Sequence, residues 1–144
     1  MIGQPAILYV EDEKSDVLLL SVAFRRAGLL NPVHIAVDGA EAIDYLAGNR
    51  PFADRKQHPL PALVLLDLNL PKKSGFEVLR WIRQQPQFAS LPVVIYTSSV
   101  GLMDKNTAQV LGATDYFVKR SGVSHIAELG RSLAARWLTP AAPG

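Results

Sequence analysis

Five short apolar runs punctuate the chain, and each ends in polar or charged residues. Residues 6–10 (Ala-Ile-Leu-Tyr-Val) run into Glu11, Asp12 and Glu13. Residues 33–37 form the second run. Residues 63–66 (Leu-Val-Leu-Leu) run straight into Asp67 and break at Pro71. Residues 91–96 end at Thr97-Ser98-Ser99, and residues 115–118 end at Lys119. Short continuous apolar runs fit strands buried on both faces. Between them, residues 17–27, 40–46, 76–85, 102–111 and 123–138 read as helices. Ser15 and Asp16 are start residues for the first, with Gly28 as its stop. Asp38-Gly39 opens the second and Gly48-Asn49 stops it. Val78, Leu79, Trp81 and Ile82 form the apolar side of the third, which Pro86 ends. The fourth is polar over much of its length and closes at Gly112. Residues 50–61 carry three prolines and no periodicity, so 48–62 reads as a long surface loop, of a length that suggests a contact role.

Five strands alternating with five helices predict an α/β protein, a doubly wound parallel sheet covered on both faces. Right-handed crossovers place every strand's carboxyl end on one edge. Sites in such sheets form just outside those ends. Glu11, Asp12, Asp67, Thr97 and Lys119 are therefore expected to gather there.

Composition bounds the picture. The 144 residues suit one domain spanning 1–144, with residues 1–4 and 139–144 as tails, and leave no room for a second, effector domain. A formal charge of +2, with no basic stripe, gives little reason to expect DNA as a partner. The chain has no cysteine, which excludes disulfides, thiolate metal sites and Cys nucleophiles. The start, Met-Ile-Gly-Gln-Pro, lacks the features of a signal peptide, and no apolar run approaches the ~20 residues that span a bilayer. A soluble, cytoplasmic domain without a membrane partner is expected.

Asp67 alone is ambiguous, since an Asp before a proline can simply cap a turn. Its neighbours narrow the reading. Asp12, Glu11 and Asp67 would bring three carboxylates together. Two like charges ~6 Å apart repel by roughly 3 kcal/mol at an effective dielectric near 20. Either one protonates or a cation sits among them. Hard oxygen ligands without His or Cys favour Mg²⁺. A carboxylate beside Mg²⁺ can attack a phosphoryl donor and form an aspartyl phosphate. Lys119 would stabilise the charge on the transferred group, and the Thr97 hydroxyl would donate to one of its oxygens.

Four motifs occur in order: Val-Glu-Asp after the first strand, Leu-Leu-Asp-Leu-Asn-Leu-Pro after the third, Tyr-Thr-Ser after the fourth and Tyr-Phe-Val-Lys after the fifth. With them the chain resembles, over essentially its whole length, a response-regulator receiver domain of two-component signalling. The resemblance implies a flavodoxin-like sheet in the order 2-1-3-4-5 and a phosphoacceptor at Asp67. It implies a Mg²⁺ site from Asp12, Asp67 and the backbone carbonyl of Asn69, with Glu11 nearby or acting through water. Thr97 and Lys119 would contact the phosphoryl group, Thr97 and Tyr116 would move with activation, and Asn69 and Ser99 would tune phosphoryl lifetime. Further likeness, in the long loop and in Leu-Asn-Leu-Pro-Lys-Lys, is to small regulators paired with phytochrome-type histidine kinases. A sensor histidine kinase, and a histidine phosphotransfer protein downstream, are the implied partners, and the protein is not expected to be a turnover enzyme. One departure stands out. Receivers usually follow the site lysine with a cis proline, and here Arg120 follows Lys119. A trans bond and an altered loop over 119–122 are expected, which puts the reach of Lys119 in question.

Other readings compete. A haloacid-dehalogenase-type hydrolase wants a second Asp two residues after the nucleophile, where this chain has Asn69. A flavin or nucleotide domain needs a phosphate-binding loop after the first strand, where this chain has Glu-Asp-Glu. A receiver-like interaction module working without phosphorylation is the remaining alternative. His34, His58 and His125 are scattered and read as structural or surface residues. Trp137 and Leu138, at the chain's end, are expected to be exposed and to pack against a second copy, giving a homodimer through the last helix and its neighbours; the alternative is that both fold back on the domain's own sheet.

Overall fold

The computed structural model describes residues 4–138. Five parallel strands, β1 (Ile7–Val10), β2 (Val33–Ala36), β3 (Leu63–Leu66), β4 (Val93–Thr97) and β5 (Asp115–Val118), form one sheet in the order β2-β1-β3-β4-β5. The helices α1 (Lys14–Arg26), α2 (Gly39–Ala47), α3 (Gly75–Gln84), α4 (Leu102–Val110) and α5 (Val123–Trp137) alternate with them. This is the flavodoxin-like arrangement expected from the alternation and the motifs.

The apolar runs are continuous because both faces of the sheet are covered. Leu8, Val10, Val64, Leu66, Val93 and Ile95 face a core shared with α2, α3 and α4. Ile7, Tyr9, Leu63, Leu65, Val94 and Tyr96 face the opposite core, filled by Leu20, Ala23 and Phe24 of α1 and Ile126, Leu129 and Leu133 of α5. Burying each large aliphatic side chain contributes about 1.5–3 kcal/mol.

Local chemistry sets the helix ends. Asp38 caps α2 by accepting the Glu41 amide at 2.7 Å. Ser74 and Glu77 form a reciprocal capping box at the start of α3. Pro86 ends that helix as expected, but residues 86–88 continue as a 3-10 turn. β4 begins two residues later than the sequence suggests and includes Thr97. Pro92 has no amide to donate and serves the ladder only through its carbonyl, which accepts from Val64.

The long loop is pinned to the body. The Arg55 guanidinium donates to the carbonyls of Tyr45 and Leu46, at 2.8 and 2.9 Å, covering the open end of α2. Phe52 and His58 pack on the Tyr45 ring, whose hydroxyl donates to the Pro59 carbonyl.

The chain's end corrects an expectation. Leu138 is only 3% exposed and Trp137 is half-buried, both against the core between the sheet and α1 and α5. The pair extends the apolar face that Ile126, Leu129 and Leu133 begin, and burying it on the domain's own core is favourable. It is not the exposed surface on which a homodimer was expected to rest. The expected tail at 139–144 and residues 1–3 lie outside the described residues. No described helix is long and apolar enough to cross a membrane.

Candidate functional site

The parallel register delivers the polar residues to one edge. Val10 pairs with Leu66 and Leu66 with Ile95, while Thr97 pairs with Val118. Glu11 and Asp67 therefore leave adjacent strands side by side, with the Asp67 amide donating to the Val10 carbonyl. Lys119 leaves β5 beside them, its amide donating to the Thr97 carbonyl at 2.7 Å.

The Lys119 ammonium is the centre of the site. It donates to Asp67 Oδ2 at 2.8 Å, to Asp16 Oδ2 at 2.9 Å and to Glu11 Oε1. Glu11 and Asp67 are buried, and Lys119 is largely so. Burial opposes the lysine's charge, but hydrogen bonds to Asp67, Glu11 and Asp16 outweigh it and hold its pKa above the usual lysine range. Burial pushes the Glu11 carboxyl up to about 7, against the pull of Lys119 and with the Asp67 charge adding to the rise. The Tyr9 hydroxyl also donates to Glu11, and burial and that carboxylate hold the phenol well above its ordinary range.

The structure brings Glu11, Asp67 and Lys119 together as expected. The Lys119–Arg120 bond is not among the cis peptides of the described residues, and Lys119 reaches the carboxylates all the same. Asp12 is exposed at the rim. Among the described residues no three Asp, Glu or His side chains are placed to hold a metal ion. Glu11 is spent on Tyr9, Lys119 and the amides of Asp12 and Glu13, so the cation among the carboxylates is Lys119 itself.

Donors at the same edge still suit a hard cation. Asp12 and Asp67, with the carbonyl of exposed Asn69, offer one or two carboxylates and room for water, which is how Mg²⁺ is usually bound. Asp67 Oδ1 meanwhile accepts the Asn69 amide at 3.1 Å.

Thr97 is fully buried, and its Oγ1 accepts the Ser99 amide at 3.4 Å. Ser99 is bound from two sides. Its hydroxyl donates to Asp104 at 2.6 Å, and its carbonyl accepts the Tyr116 hydroxyl at 3.0 Å. Sequence reasoning missed Asp16 and Asp104. An acid in the first turn of a helix is common for electrostatic reasons alone, so neither offered a signal.

Comparison with known proteins bears on this geometry. Residues 7–130 match the response regulator receiver domain family. The chain is 33% identical over 132 residues to response regulator Rcp1 of Synechocystis, covering 92% of this chain and 88% of that protein. A crystal structure of Rcp1 in its Mn²⁺-bound form superposes with a TM-score of 0.81 at 32% identity, over 97% of this chain and 99% of that one. Response regulator RPA3017, from red light signaling of R. palustris, matches with a TM-score of 0.88 at 35% identity, over 96% of both chains. The phosphorylated cyanobacterial phytochrome response regulator RcpA matches with a TM-score of 0.86 at 32% identity, over 99% of this chain and all of that one. The protein belongs to the response regulator receiver domain family.

Proposed function

We propose that this chain is a phosphorylatable switch in which Asp67 accepts a phosphoryl group from a phosphohistidine of a partner histidine kinase. The observation that carries the reading is the buried Asp67 carboxylate held 2.8 Å from the Lys119 ammonium at the carboxyl edge of the sheet. A buried acid with one cationic partner and an exposed rim beside it suits attack on an incoming electrophile.

An oxygen of Asp67 attacks phosphorus, and an O–P bond forms as the P–N bond of the phosphohistidine breaks. The electron pair of that bond returns to the imidazole nitrogen. Lys119 stays beside the new anhydride and offsets charge on the transferred oxygens. The Thr97 hydroxyl donates to one of them, since its oxygen already accepts from Ser99. Asp12, Asp67 and the Asn69 carbonyl would hold Mg²⁺. When bound, the ion neutralises charge on the phosphoryl oxygens. Asn69 and Ser99 stand where they would govern the approach of water and so the lifetime of the product.

Phosphorylation replaces the single negative charge of the Asp67 carboxylate with nearly two on the phosphoryl oxygens. The change passes from Thr97 to Ser99 and from Ser99 to Tyr116, which are already linked by hydrogen bonds. The neighbouring surface carries exposed Val100, Leu102, Met103 and Val110. A second copy of the chain or a histidine phosphotransfer protein would read the change there, by preferring one of the two states. The relatedness to the phytochrome response regulator RcpA supports a phytochrome-type kinase as the donor. Nothing in this scheme turns over an external substrate.

Acyl phosphates are reduced by borohydride, so the test is chemical. After phosphorylation and reduction, peptide mass spectrometry is expected to find homoserine in place of Asp67. Homoserine at Asp12 or Asp16 instead would move the acceptor.

A further inference from the structure

An ammonium group has three N–H donors, and three carboxylates occupy those of Lys119. The three are not equivalent. Glu11 is locked by Tyr9 and by the amides of Asp12 and Glu13. Asp67, in the reading above, changes its charge and shape when it takes a phosphoryl group. Asp16 does neither. It sits in the first turn of α1, fixed by the helix, and reaches Lys119 at 2.9 Å.

It also comes from another side. Asp16 and Lys119 line a cavity of about 320 Å³ with Tyr9, Tyr96 and Arg120, which neither Glu11 nor Asp67 lines. The Tyr96 ring lies 5.7 Å from the ammonium in the same place. A lysine side chain is long and rotamer-rich, so something other than its own stem must fix its tip.

We propose that Asp16 is a positioning residue for Lys119. It holds one ammonium N–H throughout the reaction cycle, so that the remaining donors stay directed at Glu11 and at the Asp67 oxygen that receives the phosphoryl group. The proposal rests on Asp67 being the acceptor, and the experiment separates the two claims.

Wild type, Asp16→Asn, Asp16→Glu and Asp67→Asn are phosphorylated with acetyl phosphate and Mg²⁺ over a range of acetyl phosphate concentrations. The Lys119 ammonium is observed in parallel by ¹⁵N–¹H correlation at low temperature, with backbone amides reporting the fold. In Asp16→Asn the amide spectrum is retained and the Lys119 ammonium signal is lost to solvent exchange. Its maximal phosphorylation rate falls roughly tenfold while half-saturation stays put, the pattern of a misplaced group in the transition state. Asp16→Glu, which restores the charge, recovers most of the rate and the signal. An Asp16→Asn protein with the wild-type rate and an intact ammonium signal overturns the proposal. So does an Asp16→Glu protein as impaired as Asp16→Asn. If wild type and Asp67→Asn label alike, the acceptor assignment fails instead, and the ammonium signal alone decides whether Asp16 holds Lys119.

Discussion

The hydroxyl of Tyr116 donates to the carbonyl oxygen of Ser99 at 3.0 Å, tying β5 to the loop that leaves β4. One half-buried phenol thus joins two strand ends across the edge where the site lies. Tyr116→Phe keeps the ring and removes the bond, at a cost of about 1 kcal/mol. The amides of Ser99 to Gly101 are expected to exchange faster with deuterium in this variant while those of β1 and β3 do not. Unchanged exchange in that loop would show that the phenol does not restrain it.

Gly75 sits against the backbone that carries the acceptor. A Cβ there would meet the Asp67 carbonyl and come within 2.7 Å of the Leu68 Cα. Both neighbours are backbone of one segment, which leaves nothing to yield cheaply. Gly75→Ala is expected to destabilise by about 1–3 kcal/mol, read from the urea midpoint, because overpacked sites force backbone shifts. Phosphoryl incorporation is expected to drop as well, since the part that shifts is the strand end bearing Asp67.

Arg83 is expected to matter more than a partly exposed arginine usually does. It donates to the carbonyls of Gly112, Phe88 and Leu91 at 2.9, 3.0 and 2.7 Å, gathering the end of α4, the 3-10 turn and the approach to β4. Arg83→Met keeps the stem and takes the donor from three carbonyls, of which that of Phe88 still accepts the Leu91 amide, for a loss of about 1–3 kcal/mol. Arg83→Lys is expected to recover only part of it, since an ammonium cannot reproduce the planar fork.

His34 gives the stability a pH dependence of known sign. Burial lowers its pKa below the usual histidine value, and the charge of His58 lowers it further. The folded state therefore binds fewer protons than the unfolded one. The stabilisation is present above a pH of ~6.5 and is lost as pH falls through that value toward the lowered pKa. An NMR titration is expected to place the His34 midpoint below that of a model peptide. A midpoint equal to it would remove the dependence, and one above it would reverse the sign.

Much of the site was legible in the sequence because each strand end is marked by an abrupt change of character. Leu-Val-Leu-Leu followed by Asp67 is such a change, and so is Tyr-Phe-Val followed by Lys119. The topology then brings the marks together without further information. What stayed hidden depends on which atoms meet. Asp16 looked like a helix-start acid until β5 placed Lys119 beside it. Glu11 read as an acid near the acceptor, and nothing local showed that Tyr9, Lys119 and two amides would hold it. Arg55 and Arg83 offered no signal, because no local pattern says whose carbonyls a long side chain will find. Leu138 misled for a similar reason, since an apolar residue at the end of an amphipathic helix reads alike whether it folds back or faces a partner.

The most direct test of the central claim is intact mass after incubation with acetyl phosphate, with and without Mg²⁺, on wild type and Asp67→Asn. One phosphoryl adduct that needs Mg²⁺ and is absent from Asp67→Asn is the predicted result. An adduct that persists in Asp67→Asn, or that forms without the metal, would contradict it. So would the absence of any adduct under conditions that label another receiver, leaving an interaction module that works without phosphorylation.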